Sequence, residues 1–136
     1  MKKTNNKGFS LIELIIVIAI MAVLVAIIAP NLTKYLGKSK DSTDTKNADE
    51  IESTLKTCIT DYEMDNGDLI SGETGTMTAT WTSTGLTSTG NTTFDALINA
   101  EIDASKTKSK KDSSKYAEAT ITKNSSGTYT ISVAFN

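Results

Sequence analysis

An acidic side chain stands near the start of an apolar run that is long enough to cross a lipid bilayer. Glu13 follows Leu11 and Ile12, and every residue from 14 to 29 is apolar. An ionised side chain inside lipid costs about 2.5–3.5 kcal/mol even on lenient insertion scales. Two explanations are open. Either the carboxylate lies at the membrane surface with its head in the interface, or it pairs with a cation in a region of low dielectric.

Other side chains with catalytic or metal-binding potential are few. The chain has no His, and its 14 cationic residues are all Lys, which excludes a His-based catalyst and a His-ligated metal. The one cysteine, Cys58, cannot form an internal disulfide and falls within an apolar helical stripe, which predicts a small core residue. Because no nucleophile–base pair or metal cluster is visible, we predict no enzymatic activity, no cofactor and no metal site.

Two charged clusters allow a functional and a structural interpretation each. One consists of four carboxylates that could hold a calcium ion but lack the spacing of a calcium loop, so a solvated helix end is favoured: Asp61, Glu63, Asp65 and Asp68. The other consists of five lysines with no aromatic residue among them: Lys106, Lys108, Lys110, Lys111 and Lys115. Nucleic acid or another anionic partner is the weaker interpretation of this segment, and a solvated loop is the stronger one.

The N-terminal run has three interpretations, of which two leave Glu13 unexplained. A secretory signal peptide fits the basic residues Lys2, Lys3 and Lys7, but the apolar part exceeds the roughly 7–15 residues expected. A plain membrane anchor fits the length, because residues 9–29 would make about 31 Å of helix. The lysines then place the N-terminus in the cytoplasm and the chain beyond residue 30 outside.

The third interpretation comes from a resemblance carried by residues 8–30. Gly8 is followed by the sequence FSLIE, which ends at Glu13, then by an unbroken apolar run and by Pro30. This order resembles the leader and N-terminal helix of type IV prepilins and the related pseudopilins. In that family a prepilin peptidase cuts after the glycine and methylates the new terminal amine. The resemblance therefore implies cleavage between Gly8 and Phe9 and N-methylation of Phe9.

The resemblance also implies a role for Glu13 in subunit assembly. In the family, a glutamate at this position is associated with neutralising the terminal amine of a neighbouring subunit. A free α-amine has a reference pKa of about 7.7–8.0, so it is cationic at neutral pH and can pair with a carboxylate. Because Phe9 and Glu13 are four residues apart, the same two groups could also meet within one chain.

Helical periodicity continues beyond the apolar run. Apolar residues recur at helical spacing over a second stretch: Ala48, Ile51, Leu55, Cys58, Ile59 and Tyr62. We predict one helix from Phe9 to about Met64, kinked at Pro30 because proline lacks the amide that an unbroken helix needs. Asn66 and Gly67 give the stop signal.

The remaining sequence predicts a small sheet. Alternation of apolar and polar residues indicates strands over residues 77–82, 115–122 and 128–135, the last two joined by the hairpin sequence KNSSG. A short amphipathic helix follows Thr93 as its cap. The predicted fold class is α+β and pilin-like: a long N-terminal α-helix, membrane-spanning in its first half, packed on a small antiparallel β-sheet. The predicted domains are a leader (1–8), a transmembrane and filament-core helix (9–30) and an extracellular globular domain (31–136).

The predicted function is that of a structural subunit of a type IV pilus. The resemblance implies a single-pass cytoplasmic membrane protein that becomes part of an extracellular, homo-oligomeric helical filament used in adhesion, motility, biofilm formation or aggregation. Its implied partners are prepilin peptidase, a membrane assembly platform and a motor ATPase. Two alternatives remain: a minor pilin or a pseudopilin of a type II secretion system, and a singly anchored membrane protein with an external binding domain, which would keep residues 1–8.

Overall fold

The computed structural model describes residues 8–136. The leader prediction for residues 1–7, with its three lysines, lies outside the described residues. Two compact units share the chain, one ending at Lys38 and one covering Ser39–Asn136. A domain boundary at residue 30 stays a prediction.

One long helix, α1, covers Leu11–Asn66 and contributes to both units. This confirms the predicted long helix, although it begins and ends two residues later than expected. The helix continues through Pro30 and Gly37, and the Thr33 hydroxyl donates a hydrogen bond of 3.0 Å to the Pro30 carbonyl. The kink at Pro30 stays a prediction.

The polar middle of α1 is rich in threonine, which is a mediocre helix former. Several of these threonines donate their hydroxyl to the carbonyl four residues earlier, among them Thr43 to Ser39, Thr45 to Asp41 and Thr54 to Glu50. Such back-bonding gives the hydroxyl a partner on the helix itself. The stretch after Gly37 is helical throughout despite its Ser, Thr and Asp content.

The second unit contains a four-stranded antiparallel sheet. Its strands are β1 (Gly75–Thr82), β2 (Gly85–Thr87), β3 (Ala117–Lys123) and β4 (Tyr129–Phe135), in the spatial order β2-β1-β3-β4. Strands β1, β3 and β4 confirm the three predicted strands to within two residues at each end. Strand β2 was not predicted because three residues are too few to show periodicity.

The sheet has one covered face and one open face. Residues of α1, the loop after it, the sheet and the second helix form a single core: Ile51, Leu55, Cys58, Ile59, Leu69, Ala79, Trp81, Phe94, Ile98, Ala117, Ala119, Ile121 and Ile131. The opposite face carries rows of hydroxyl side chains, for example Thr78, Thr120 and Ser132 side by side on β1, β3 and β4. The alternation read from the sequence is confirmed in β1 and β4.

The second helix, α2, covers Thr92–Glu101 and confirms the predicted amphipathic segment, with Phe94 and Ile98 fully buried. Its cap is Asn91, so the prediction of Thr93 was wrong. The Asn91 side-chain oxygen accepts a hydrogen bond of 3.1 Å from the Phe94 amide, while its Nδ2 donates to the Tyr62 hydroxyl at 2.8 Å. The long-range bond to α1 holds Asn91 in place at the helix start.

Candidate functional site: the N-terminal motif and its apolar helix

The predicted cleavage site lies just ahead of α1 in irregular structure. Residues 8–10 are exposed and precede the first helical residue, Leu11. A β-carbon added at Gly8 would meet no heavy atom within 4 Å, and the backbone there does not have a positive φ. Neither packing nor backbone conformation in the described chain requires glycine at this position. The fold therefore does not explain why residue 8 is a glycine.

The Glu13 side chain caps the N-terminal end of α1. Its Oε2 accepts a hydrogen bond of 2.9 Å from the backbone amide of Ser10, and the Ser10 carbonyl accepts from the Leu14 amide at 3.2 Å. Ser10 is thus the N-cap and Glu13 the third helical residue, the positions of a capping box. The sequence signal was present as Ser-x-x-Glu, but our interpretation considered only the carboxylate's charge.

The apolar part of α1 is uncovered. Every residue from 11 to 36 is exposed, including Leu14, Val25 and Ile28, each more than half exposed. Among the described residues, α1 is the one helix long and apolar enough to cross a membrane. A surface of this size is not stable in water, so it requires lipid or another apolar partner.

The N-terminal segment matches a known family model. Residues 3–29 match the model described as the prokaryotic N-terminal methylation motif. The match includes the Gly8–Glu13 motif and the exposed apolar part of α1 up to residue 29. This part of the chain is similar to type IV pilins and pilin-like proteins.

Several curated proteins are similar to part of this chain. It is 36% identical over 73 residues to a type IV major fimbrial protein, FimA, of Dichelobacter nodosus, a match that covers 54% of this chain and 46% of the relative. It is 53% identical over 38 residues to the type IV major pilin PilA of Myxococcus xanthus, covering 28% and 17%. It is 32% identical over 62 residues to the competence protein ComGC of Bacillus subtilis, covering 46% and 59%. The match thus spans less than half of the fimbrial relative's length, and no solved structure matches the chain significantly.

The carboxylates at the end of α1 hold the C-terminal hairpin. Glu63 Oε1 accepts from the Tyr129 hydroxyl at 2.5 Å and from the Leu69 amide at 3.3 Å, and Asp68 Oδ2 accepts from Lys123 Nζ at 2.6 Å. Burial, with the bond to Glu63 next, raises the pKa of Tyr129 to about 12. The prediction of a solvated helix end is therefore wrong for Glu63 and Asp68, because their carboxylates accept hydrogen bonds from Tyr129, Leu69 and Lys123. Within residues 8–136, no three acidic, His or Cys side chains are grouped to hold a metal ion.

The lysine segment is a loop with exposed side chains at Lys108, Lys110, Lys111 and Lys115, as predicted, but hydrogen bonds also connect it to α1. Asp44 accepts from the Ser109 hydroxyl at 2.5 Å and from the amides of Lys110 and Lys111 at 2.6 and 3.2 Å. Burial raises the pKa of Asp44, but the bonds from Ser109 and the two amides outweigh it and lower that pKa overall. The ammonium groups of Lys106 and Lys111 pair with Glu50 and Asp41. These pairs partly neutralise the segment, which weakens the case for a nucleic-acid partner.

Cys58 is a core residue, as predicted. It is 1% exposed, and burial raises the pKa of its thiol to about 11. A thiol in this state is a poor nucleophile, because the thiolate is the reactive form.

Proposed function

We propose that the chain is the precursor of a filament subunit of the type IV pilus class. Prepilin peptidase cuts it between Gly8 and Phe9, the new amine of Phe9 is methylated, and the apolar part of α1 moves from lipid into the core of a helical filament. Before assembly the protein is a single-pass protein of the cytoplasmic membrane, with the second unit outside. Its partners are other copies of itself, the peptidase, a membrane assembly platform and a motor ATPase.

The observation that carries the proposal is the combination of the open Gly8–Phe9 segment with the uncovered helix behind it. The fold does not require glycine at residue 8, and every apolar residue from 11 to 32 is exposed. A recognition motif for a peptidase explains the first fact. A partner that replaces lipid explains the second, because each methylene moved from lipid into water would cost about 0.8 kcal/mol.

Mass spectrometry of protein sheared from the cell surface tests the processing step. We expect a chain that begins at methylated Phe9 and lacks Lys2, Lys3 and Lys7, so that its formal side-chain charge is −5 in place of −2. An intact Met1 in the sheared fraction would instead support the singly anchored membrane protein.

A pair of glycine variants supplies the matched control for cleavage. A β-carbon added at either Gly8 or Gly37 would meet no heavy atom within 4 Å. Gly8→Leu should accumulate as uncut precursor in the membrane, whereas Gly37→Leu should be cut normally. Normal surface yield from Gly8→Leu would remove the peptidase step from the proposal.

The role of Glu13 can be separated from its capping bond. Glutamine also accepts a hydrogen bond at the third helical position of a capping box, but it carries no charge. If Glu13 serves to neutralise a neighbour's amine, Glu13→Gln and Glu13→Leu should both be inserted, cut and then retained in the membrane. An unpaired charge at such a site destabilises by about 3–5 kcal/mol per broken pair, enough to stop subunit addition.

The two variants give opposite results if the cap is what matters. Filaments from Glu13→Gln in wild-type quantity, with none from Glu13→Leu, would assign Glu13 to helix capping. Wild-type quantities from both would leave the carboxylate without a role in assembly. In either case the proposed cleavage after Gly8 would stand, because its readout is the mass of the N-terminal peptide.

A further inference from the structure

The two edges of the sheet differ in a way that affects association. Strand β2 forms one edge with only three residues, Gly85–Thr87. Strand β4 forms the other with seven residues, Tyr129–Phe135, in unbroken register with β3. Natural sheets protect long edges with charges, proline, bulges or covering segments. Strand β4 has no charged residue, no proline and no bulge.

The pairing of β3 with β4 determines which backbone groups point away from the sheet. Tyr116 and Asn136 exchange two hydrogen bonds, 3.1 and 3.0 Å, and the Asn124 amide donates to the Thr128 carbonyl at 2.8 Å. Because bonded and non-bonded pairs alternate in an antiparallel ladder, Thr130, Ser132 and Ala134 bond to β3. The amides and carbonyls of the intervening residues point to the open edge: Tyr129, Ile131, Val133 and Phe135. Across residues 8–136, no backbone or side-chain group bonds to these outward groups.

The sequence of β4 reads almost the same in both directions. From its centre at Ser132 outwards, it has a β-branched residue on each side, Ile131 and Val133, then a small residue, Thr130 and Ala134, then an aromatic one, Tyr129 and Phe135. An antiparallel copy centred on Ser132 would therefore place like beside like. Aromatic and β-branched cross-strand pairs of this kind stabilise sheets.

We propose that β4 is a self-association edge, which pairs antiparallel with β4 of a second copy about a two-fold axis at Ser132. In β4, the backbone amides and carbonyls that point to the open edge belong only to odd-numbered residues. Any hydrogen-bonded register between two copies must therefore pair odd-numbered residues with odd-numbered residues. The register centred on Ser132 is the one that overlaps all seven residues and gives every outward amide and carbonyl a partner. Ile131 is buried already, while Tyr129, Val133 and Phe135 are half-buried and would gain cover.

This contact is distinct from packing of the N-terminal helices. A two-fold contact is closed, because it uses the same edge of both copies and leaves none for a third. It would make pairs of the second unit and, in a filament, would join subunits of two filaments. The pairing does not depend on the proposed filament function and can be tested on the full chain in detergent micelles, where two copies can take any mutual orientation.

Cysteine cross-linking tests the pairing and its centre in a Cys58→Ala background. In the proposed register Ser132 faces Ser132 of the second copy in a non-bonded pair, at a Cα separation of about 4.5 Å, which a disulfide can bridge. The control is Thr78→Cys, because Thr78 is exposed on the same sheet face and in the same cross-strand row, but on β1. Under mild oxidation, we expect Ser132→Cys to form disulfide-linked dimers about tenfold faster than Thr78→Cys.

A second pair of variants tests the direction of the strands. Thr130 should face Ala134 of the second copy, while two copies of Thr130 should lie about 13 Å apart along the strands. A mixture of Thr130→Cys and Ala134→Cys chains should therefore cross-link, and Thr130→Cys alone should not. Equal rates for Ser132→Cys and Thr78→Cys, or dimers from Thr130→Cys alone, would overturn the proposal.

Charge reversal at the centre gives a test that needs no cysteine at Ser132. Like charges directly opposite each other destabilise a strand pair and opposite charges stabilise it. Adding Ser132→Lys to both partners of the Thr130→Cys and Ala134→Cys mixture should abolish the cross-link. Ser132→Lys in one partner and Ser132→Glu in the other should restore it. Cross-linking that ignores these charges would also overturn the proposal.

Discussion

Removing the carboxylate of Asp68 should destabilise the second unit, because it leaves a buried ammonium group with fewer partners. The Lys123 side chain is 5% exposed, and its Nζ donates to Asp68 Oδ2 at 2.6 Å and to the Ile70 carbonyl at 3.0 Å. After Asp68→Ala, the Ile70 carbonyl is the one acceptor left for Lys123 within the described residues. The substitution thus isolates the contribution of one charge partner.

The expected magnitude follows from the unequal exposure of the two side chains. Removing one partner of a fully buried pair costs about 3–5 kcal/mol. Asp68 is 66% exposed, so water already screens its charge and can replace part of the lost bond. We therefore expect Asp68→Ala to lower the free energy of unfolding by about 1–3 kcal/mol. For a unit of this size, each kcal/mol lost lowers Tm by about 4–8 °C.

Replacing the lysine provides the control. Lys123→Met removes the charge that needs solvation and keeps an unbranched side chain of similar length, so it should change stability by less than about 1 kcal/mol. The double variant should then be as stable as Lys123→Met alone. Trp81, 4% exposed and the one tryptophan in the chain, reports unfolding of this core by fluorescence during a urea titration.

Two results would refute this reasoning. Asp68→Ala with wild-type stability would show that the ion pair contributes nothing at this site. A larger loss from Lys123→Met than from Asp68→Ala would show that the lysine acts through its packing and its bond to Ile70, with the carboxylate incidental.

Three further predictions concern other contacts of the second unit. Asp44→Asn should destabilise it by about 1–2 kcal/mol at pH 7 through loss of the bonds to the lysine segment. Because the pKa of Asp44 is lowered from 3.8 by folding, this stabilisation is present above that value and disappears as the pH falls through the folded pKa, so wild type and variant should converge in acid urea titrations. Asn91→Ala should cost about 1–2 kcal/mol and Thr93→Ala a few tenths, measured by Trp81 fluorescence; equal effects would contradict the observed cap. Cys58→Ala should assemble normally, and native Cys58 should resist alkylation at pH 8, whereas a disulfide-linked dimer under non-reducing electrophoresis would show that it cross-links subunits.

Local patterns in the sequence were enough to predict most elements of the fold. The long helix, the strands β1, β3 and β4, the hairpin after β3 and the burial of Cys58 all follow from periodicity and turn residues within about ten positions of one another. The element boundaries moved by up to two residues. Strand β2 was missed because three residues cannot establish a period, and the cap of α2 was misplaced because the bond from Asn91 to Tyr62 reaches across 29 positions.

At the candidate site, the motif could be recognised from the sequence, because Gly8, Phe9 and Glu13 lie within six residues of one another and have a characteristic spacing. It also contained the capping bond from Ser10 to Glu13, which our interpretation overlooked. The sequence could not show that Gly8 is free of packing and that the apolar face of α1 is uncovered. Exposure depends on every other part of the chain and is not a property of a segment.

The roles of the charged residues were decided by tertiary structure alone. Lys123 was expected in a turn, yet it is the buried end of β3, bonded to Asp68 across 55 positions. Asp44 meets Lys110 across 66 positions, and Glu63 meets Tyr129 across the same separation. A charged side chain is stable in a buried position only when a partner forms a hydrogen bond or an ion pair with it. Here that partner is distant in sequence and cannot be identified from the local sequence. Hydrophobic periodicity is a property of one segment and can be read from it, whereas the pairing of polar groups depends on which segments the fold brings together.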